Sequence, residues 1–251
     1  MRRRVMAANW KMYKTAQDAT DFFEQFKAQA KPVDDKCEVV VCPPALAIPA
    51  AVAAAAGTEI AIGGQNAFWE REGAFTGEVS PEMLRAAGAT WVIIGHSERR
   101  QYFGETDANV LKKIHAAIVA GLTPIVCVGE RLEEHKEGKT AEVLVRQFAA
   151  GIAGLTEEQF ATIVVAYEPV WAIGTGQTAT PYIASEAHKL IRSEADKRFG
   201  QEAAQQLRIL YGGSVKPDNI AGLMAEPEID GALVGGASLD PQSFSKIVAA
   251  A

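Results

Sequence analysis

Eight short, mostly apolar runs rich in β-branched residues recur along this chain of 251 residues. They cover residues 5–8, 38–42, 59–62, 91–94, 124–128, 162–167, 208–211 and 232–234. Their apolar character is nearly continuous, which is typical of strands covered on both faces, and such strands are usually parallel. The starts of the runs are about 32 residues apart on average, a spacing that suits one βα unit.

Helical patterns fill the intervals between the runs. The helix face of apolar residues is clearest at Ala19, Phe22, Phe23, Phe26 and Ala30, and it recurs from Val110 to Ile118 and from Ile183 to Ile191. Helix starts are predicted where Pro takes a first helical position, at Ser80-Pro81, Thr180-Pro181, Lys216-Pro217 and Asp240-Pro241. Eight βα units predict an α/β fold, a single-domain (β/α)8 barrel over residues 1–251, and the alternative is an open doubly wound sheet.

Composition excludes several classes of function. The formal net charge is -6, from 25 basic and 31 acidic residues, so the chain lacks the basic stripe that nucleic-acid binding needs. No apolar run approaches a membrane span or the core of a signal peptide. Three cysteines, Cys37, Cys42 and Cys127, form no CxxC pair and indicate reduced thiols. We therefore expect a cytoplasmic protein that binds neither nucleic acid nor membrane.

Polar residues follow the first and fourth predicted strands. Alternation along a strand places Asn9 and Lys11 on one side and Trp10 on the other. A lysine at such a position is often only solvated, but a desolvated one can form a Schiff base. His96 directly follows a buried strand and is either a structural or a catalytic histidine. The other three histidines, His115, His135 and His188, are predicted to be surface residues, and no second ligand completes a metal site.

The sixth predicted strand ends in an acid, Glu168, that is followed directly by Pro169. An acid in this position is unusual for a solvated residue. The segment that follows, Val170 to Ile173, is unusually apolar for a loop and is bounded by Pro169 and glycines. Loops of this kind often close over a ligand as lids, although an ordinary packed loop is the alternative.

The last two strands end in paired glycines, Gly212-Gly213 and Gly235-Gly236. Glycine pairs allow backbone N–H groups to approach an anion closely, and barrels commonly bind phosphate after strands seven and eight. A further long segment, residues 63–80, has no helical or strand period and carries Phe68, Trp69 and Phe75. Long loops with exposed aromatic residues favour a protein interface, and a self-packed Ω-loop is the alternative.

Taken together, these segments resemble the triosephosphate isomerase family over essentially the whole chain. The resemblance is carried by Asn9-Trp10-Lys11, Gln65-Asn66, Gly73–Glu78, Gly95–Glu98, Ala166–Gly176, Tyr211–Ser214 and Val234–Gly236. The segment from Ala166 to Gly176 is highly specific, whereas the glycine pairs are not. The resemblance implies a TIM barrel that interconverts dihydroxyacetone phosphate and D-glyceraldehyde 3-phosphate in glycolysis and gluconeogenesis, without cofactor or metal.

The resemblance also implies roles for individual residues. Glu168 would be the base and His96 a neutral hydrogen-bond donor, the pairing known for this enzyme. Lys11 and Asn9 would bind the substrate, with Glu98 orienting Lys11. The phosphate would sit on the N–H groups of Gly174, Ser214, Gly235 and Gly236. The lid would comprise Pro169, Val170, Trp171, Ala172, Ile173, Gly174, Thr175 and Gly176.

The same resemblance implies a homodimer in which the long loop reaches a partner subunit and brings Thr76 near the partner's active site. Its interface residues would be Gln65, Phe75, Thr76, Gly77 and Glu78. Two other functions are weighed against the isomerase. An aldolase or sugar-phosphate epimerase shares the phosphate site, but an aldolase would need its lysine on a later strand than Lys11. A barrel that only binds ligands or partners leaves Glu168, His96 and the lid unexplained.

Overall fold

The computed structural model describes residues 2–29, 37–173 and 178–250. Eight parallel strands close into a barrel in sequence order, with β1 hydrogen-bonded to both β2 and β8. The strands are β1 Arg4–Asn9, β2 Cys37–Cys42, β3 Ala61–Gly64, β4 Trp91–Ile94, β5 Thr123–Val128, β6 Val164–Tyr167, β7 Arg208–Tyr211 and β8 Gly231–Val234. The predicted (β/α)8 barrel is confirmed, and the open doubly wound sheet is not formed.

Helices surround this barrel. They are α1 Ala16–Gln29, α2 Ile48–Ala55, α3 Pro81–Ala86, α4 Ser97–Tyr102, α5 Asp107–Val119, α6 Leu132–Lys136, α7 Thr140–Gly151, α8 Glu157–Phe160, α9 Pro181–Gln206, α10 Ile220–Met224 and α11 Pro241–Val248. Helix α9 is interrupted at Gly200, whose φ of 82° and ψ of 166° are not helical. None of the helices in the described part of the chain is long and apolar enough to cross a membrane.

Strand alternation separates two apolar layers. Val5 and Ala7 point into the barrel, where they pack with residues such as Ile93, Ile125 and Leu210. Met6, Ala8 and Trp10 face outward and pack beneath the helices. The edge of the Trp10 ring system meets Phe22 of α1, with ring centroids 4.8 Å apart. The same alternation directs Asn9 toward the barrel axis at the carboxyl end of β1.

Two predicted boundaries are wrong. Strand β3 lies two residues later than predicted, because Gly63 and Gly64 pair with Trp91 and Val92 of β4. The helix predicted at Lys216-Pro217 begins instead at Ile220. Residues 217–219 form a turn, in which the Lys216 N–H donates to Asn219 Oδ1 at 2.8 Å. The other three Pro-marked starts are helix starts with a side-chain N-cap, at Ser80, Thr180 and Asp240.

The prediction that His188 is a surface residue is also wrong. His188 lies on α9 and is fully buried, with its ring edge-on to Tyr167. Its Nδ1–H donates to the Glu228 carbonyl at 3.0 Å, and its buried Nε2 has no partner among the described residues. Burial lowers the pKa of His188 to about 3, the Glu228 carbonyl opposes this, and the Arg192 and Arg2 charges reinforce it.

This burial predicts an acid-labile fold. Between about pH 6.5 and pH 3 the unfolded chain protonates His188 and the folded chain does not, so the free energy of unfolding falls as the pH falls. At pH 5 the loss from this group reaches about 2 kcal/mol. His188→Gln keeps a donor for Glu228 but does not titrate. Urea unfolding at pH 7.5 and pH 5.0, at one protein concentration, should show a smaller acid loss for the variant. Equal losses in the two proteins would contradict the assignment.

Candidate active site

A cavity of about 660 Å³ opens at the carboxyl ends of the strands. This is the face at which barrel enzymes carry their active sites. Residues from five strand ends converge on it, since its lining includes Asn9, Lys11, His96, Glu168, Ser214, Gly235 and Gly236. The predicted site residues that follow β1, β4, β6, β7 and β8 and lie in the described segments therefore meet around one cavity.

Glu168 follows β6 and is only 2% exposed. Its carboxylate has two partners: Oε1 lies 2.9 Å from His96 Nε2, and Oε2 accepts the Ser97 N–H at 2.9 Å. The backbone is also held, because the Glu168 N–H donates to the Val128 carbonyl at 2.8 Å. Burial raises the pKa of Glu168. The contacts with His96 and the Ser97 N–H lower it by more than this, so the net pKa lies below the ordinary value. The buried group is therefore ionised at neutral pH and is available as a base.

His96 caps the start of α4 and is almost completely buried. Its Nδ1 accepts the Glu98 N–H at 3.2 Å, a bond that a ring protonated at Nδ1 cannot make. The proton of the neutral ring then resides on Nε2, which faces Glu168. Burial lowers the pKa of His96, whereas the charge and hydrogen bond of Glu168 raise it, with a net rise. Glu168 thus stabilises the protonated ring, but the bond from the Glu98 N–H selects the neutral form, in which the Nε2–H donates toward the cavity.

Lys11 leaves β1 in the left-handed conformation, with φ of 52°. Its Nζ lies 2.5 Å from Glu98 Oε1, and its N–H donates to Asn9 Oδ1 at 3.0 Å. The side chain passes close to Gly235, where an added Cβ would lie 3.3 Å from Lys11 Cε. Lys11 therefore lies next to the predicted phosphate site, and Glu98 is in place to orient it.

The glycine-rich ends of β7 and β8 line the far side of the cavity. Ser214, Gly235 and Gly236 all contribute to its lining, and Gly236 starts a short 3-10 turn, Gly236–Ser238. The cavity here also includes residues that the sequence did not indicate, namely Val215, Lys216, Pro217, Asp218, Ala237 and Ser243. The fourth predicted phosphate contact, Gly174, lies outside the described residues.

The predicted lid is described only over its first half. Pro169, Val170, Trp171, Ala172 and Ile173 are placed, whereas Gly174, Thr175 and Gly176 lie outside the described residues. Val170–Ala172 forms a 3-10 turn in which Ala172 is fully buried and Trp171 is 9% exposed.

The long loop contains the aromatic cluster that its sequence indicates. Phe68 stacks on Trp69 with centroids 4.0 Å apart and meets Phe75 at 4.6 Å. Of these three only Phe75 is exposed, so the aromatic residues are partly self-packed. At the base of the loop, Gln65 Nε2 donates to the carbonyls of Lys11 and Cys42 at 2.8 and 2.9 Å. The predicted interface residue Gln65 thus also supports the backbone of Lys11.

Three features of the site were missed in the sequence. Ser97 supplies a backbone N–H to Glu168, which its place in the first turn of a helix after His96 could have suggested. Glu130 is fully buried near the lid and accepts hydrogen bonds from Tyr167 and Trp171. Cys127 is buried beside Glu168, and burial together with the charge and hydrogen bond of that carboxylate raises the pKa of its thiol well above the ordinary value. Within the described ranges, no group of three or more His, Cys, Asp and Glu side chains is arranged to hold a metal ion.

A closed parallel barrel with a buried, ionised carboxylate against a histidine Nε2–H defines a proton-transferring barrel enzyme. The family model described as triosephosphate isomerase matches residues 4–251. Relatives named triosephosphate isomerase include those of Solibacter usitatus, 61% identical over 99% of both chains, and Citrifermentans bemidjiense, 56% identical over 99% of this chain and 98% of the relative. That of Caldanaerobacter subterraneus is 52% identical over 99% of both chains. The chain belongs to the triosephosphate isomerase family and is an isomerase.

The packing of Gly212 against Glu168 makes the position of the carboxylate testable. An added Cβ would lie 2.9 Å from Glu168 Cγ and 3.2 Å from the Tyr167 carbonyl oxygen. Gly212→Ala should displace the carboxylate and lower kcat/KM about 10- to 100-fold, since misplacement by about 1 Å has effects of this size. Gly222→Ala in α10 is the matched control, because its nearest contact is 3.9 Å away. Equal activity of the two variants in a coupled isomerase assay would contradict this role of the glycine.

Proposed function

We propose that this chain interconverts dihydroxyacetone phosphate and D-glyceraldehyde 3-phosphate with Glu168 as the base that moves the proton. The observation that carries the proposal is the placement of a buried carboxylate 2.9 Å from His96 Nε2, in a cavity whose other side is lined by Gly212, Gly213, Gly235 and Gly236. Glu168 removes a proton from C1 of the ketose, which leaves an enediolate. A proton passes from the C1 hydroxyl to the C2 oxygen, the Glu168 carboxylic acid returns the first proton to C2, and the C1 aldehyde of the aldose forms.

His96 stabilises the negative charge that develops on the substrate oxygen. When substrate enters, its carbonyl oxygen takes the place of Glu168 Oε1 as acceptor of the His96 Nε2–H bond. A donor already held in place by the Glu98 N–H loses little on reorganisation, which is the basis of electrostatic stabilisation in such sites. Each such group commonly contributes about 10²- to 10⁴-fold to the rate.

Lys11 and Asn9 bind the anionic substrate beside the phosphate site. The Glu98 carboxylate, which also lies 3.6 Å from His96 Nδ1, pairs with the Lys11 ammonium, and the Lys11 side chain passes beside Gly235. Imine formation requires a free amine, so this ion pair favours an electrostatic role over the Schiff base of an aldolase. The phosphate binds to the N–H groups of Ser214, Gly235 and Gly236, with Gly174 as a fourth donor. The lid segment keeps water from the enediolate and so suppresses loss of phosphate.

The role of Glu168 is tested by shortening it. Glu168→Asp withdraws the carboxylate by one methylene and should lower kcat about 100-fold with a smaller change in KM. Glu133→Asp makes the same change at an exposed position of α6 and should leave the coupled assay unchanged. A Glu168→Asp variant as fast as the wild type would remove this residue from the mechanism.

We also propose a homodimer in the cytoplasm. Around Lys11 the surface carries the exposed side chains of Met12, Leu46 and Phe103, and Met12 is 93% exposed. Met12 and Phe103 border a cavity of about 480 Å³ that also reaches Asn9, Lys11 and Gln65. Large exposed apolar side chains beside a cavity favour a protein partner. The loop tip of a second copy, with Phe75, Thr76, Gly77 and Glu78, is the occupant we propose. The buried thiols of Cys42 and Cys127, which form no disulfide, suit a reducing compartment.

The dimer is tested by charge at the loop tip. Thr76→Arg places a bulky cation at a position that would be buried in the interface, so it should give monomers that have lost most of their activity. Val119→Arg adds the same charge to an exposed apolar position of α5 and should remain dimeric and active. Sedimentation and kinetics are measured at the same protein concentration. A fully active, stable monomer of the wild type would overturn the proposal.

A further inference from the structure

Helix α6 places a histidine on the described part of the lid segment. His135 follows Glu130 by five residues and is partly exposed, with 36% of its side-chain surface accessible. Its ring stacks on Trp171, with ring centroids 4.4 Å apart and planes inclined by 22°. The sequence predicts only a surface residue at this position, and the reaction outlined above makes no use of it.

Trp171 is therefore held from two directions. At its edge, the indole Nε1–H donates to Glu130 Oε1 at 2.8 Å. On one face, it is covered by the imidazole ring of His135. His135 is itself oriented, because its Nδ1 lies 3.4 Å from both Glu130 Oε1 and Thr140 Oγ1. The indole cannot leave Glu130 by moving toward His135 without displacing a ring that has its own contacts.

Glu130 connects this arrangement to the catalytic base. Its carbonyl accepts the Val170 N–H at 3.1 Å, and its carboxylate also accepts the Tyr167 hydroxyl at 3.1 Å. Tyr167 and Val170 flank the Glu168-Pro169 pair in the chain. The backbone of Glu168 is thus anchored before and after the base by a single fully buried residue. Glu130 has a third contact with this segment, the hydrogen bond from the Trp171 indole, and stacking by His135 stabilises that contact.

We propose that His135 is a positioning residue for the isomerase reaction, which holds Trp171 against Glu130 and so fixes the chain that follows Glu168. This inference rests on the proposed function of Glu168 and the lid segment. Loss of the ring removes this stacking contact and weakens the anchor. Offset aromatic stacking of this type has a strength that corresponds to about a 3- to 10-fold effect, and this is the change expected in kcat/KM.

A misplaced lid segment changes the fate of the intermediate as well as its rate of formation. When water reaches the enediolate, the bond between C3 and the ester oxygen breaks, and the electron pair leaves with inorganic phosphate. The remaining enol tautomerises to methylglyoxal. The ratio of methylglyoxal to isomerised product per turnover does not depend on the fraction of folded enzyme. It therefore separates positioning from a loss of stability.

The experiment compares four variants with the wild type. H135A removes the ring, H135F keeps a stacking ring, and H135Q keeps a polar group near Glu130 without a ring. K136A, at an exposed position of the same helix, is the matched control. We expect H135A and H135Q to lower kcat/KM about 3- to 10-fold and to raise the methylglyoxal ratio several-fold. H135F and K136A should match the wild type in both measurements. Where H135A does not fold, H135F against H135Q gives the same comparison.

A spectroscopic measurement follows the indole directly. With 5-fluorotryptophan in the chain, the ¹⁹F signal of Trp171 is assigned by its loss in W171F. The signal should shift in H135A and H135Q and return toward its wild-type position in H135F. An unchanged methylglyoxal ratio and Trp171 signal in H135A, in an enzyme that E168D still inactivates, would overturn the role of His135 alone. A wild-type chain without isomerase activity would overturn the proposed function instead.

Discussion

Closure of the parallel sheet is the constraint on which the site depends. Strand β1 pairs with β8 in a register that sets Ala8 beside Val234, so Asn9 and Gly235 emerge from the barrel as neighbours. The first and last strands of the chain therefore complete one cavity. Without this pairing Lys11 would not approach Gly235, and the cation and the proposed phosphate site would lie at opposite edges of an open sheet. Closure of the barrel thus brings together groups that lie far apart in the sequence.

The cavity can hold a buried charge because the strand ends provide its partners. A carboxylate buried as deeply as that of Glu168 would take up a proton if it were left unpaired. The start of α4 prevents this, since it supplies both the His96 ring and the Ser97 N–H. The same contacts keep the Glu168 carboxylate away from bulk water. The geometry that makes Glu168 stable as an anion also holds it at the wall of the cavity.

The periodicity of the sequence predicts the barrel because each strand repeats the same local signal, whereas boundaries depend on competing contacts. The end of β3 follows its pairing with β4, which no property of Gly63 or Gly64 alone reveals. Pro217 is compatible with a helix start, but the Asn219 side chain accepts a hydrogen bond from the Lys216 N–H, and a turn forms there before the helix begins at Ile220. His188 shows a further limit, because a titratable residue on a helix is buried only through the register of that helix against Tyr167.

The location of the polar groups at the strand ends follows from the sequence for a different reason. Asn9, His96 and Glu168 are each the first strongly polar residue after an apolar run, so their place at the rim follows from the strand pattern itself. Ser97 and Glu130 escape this reasoning, since they act through a backbone N–H and through buried side-chain contacts.

The net charge of -6 has little effect on ligand binding. An acidic chain repels a phosphorylated substrate at long range, but this repulsion between exposed charges is screened over about 8 Å at physiological ionic strength. Within the cavity the local donors are the Lys11 ammonium and the backbone dipoles at Ser214, Gly235 and Gly236. Fixed dipoles in a partly desolvated site act at short range, where they are not screened. The distribution of a few groups around the strand ends, and not the sum of the charges, therefore determines which anion the barrel can bind.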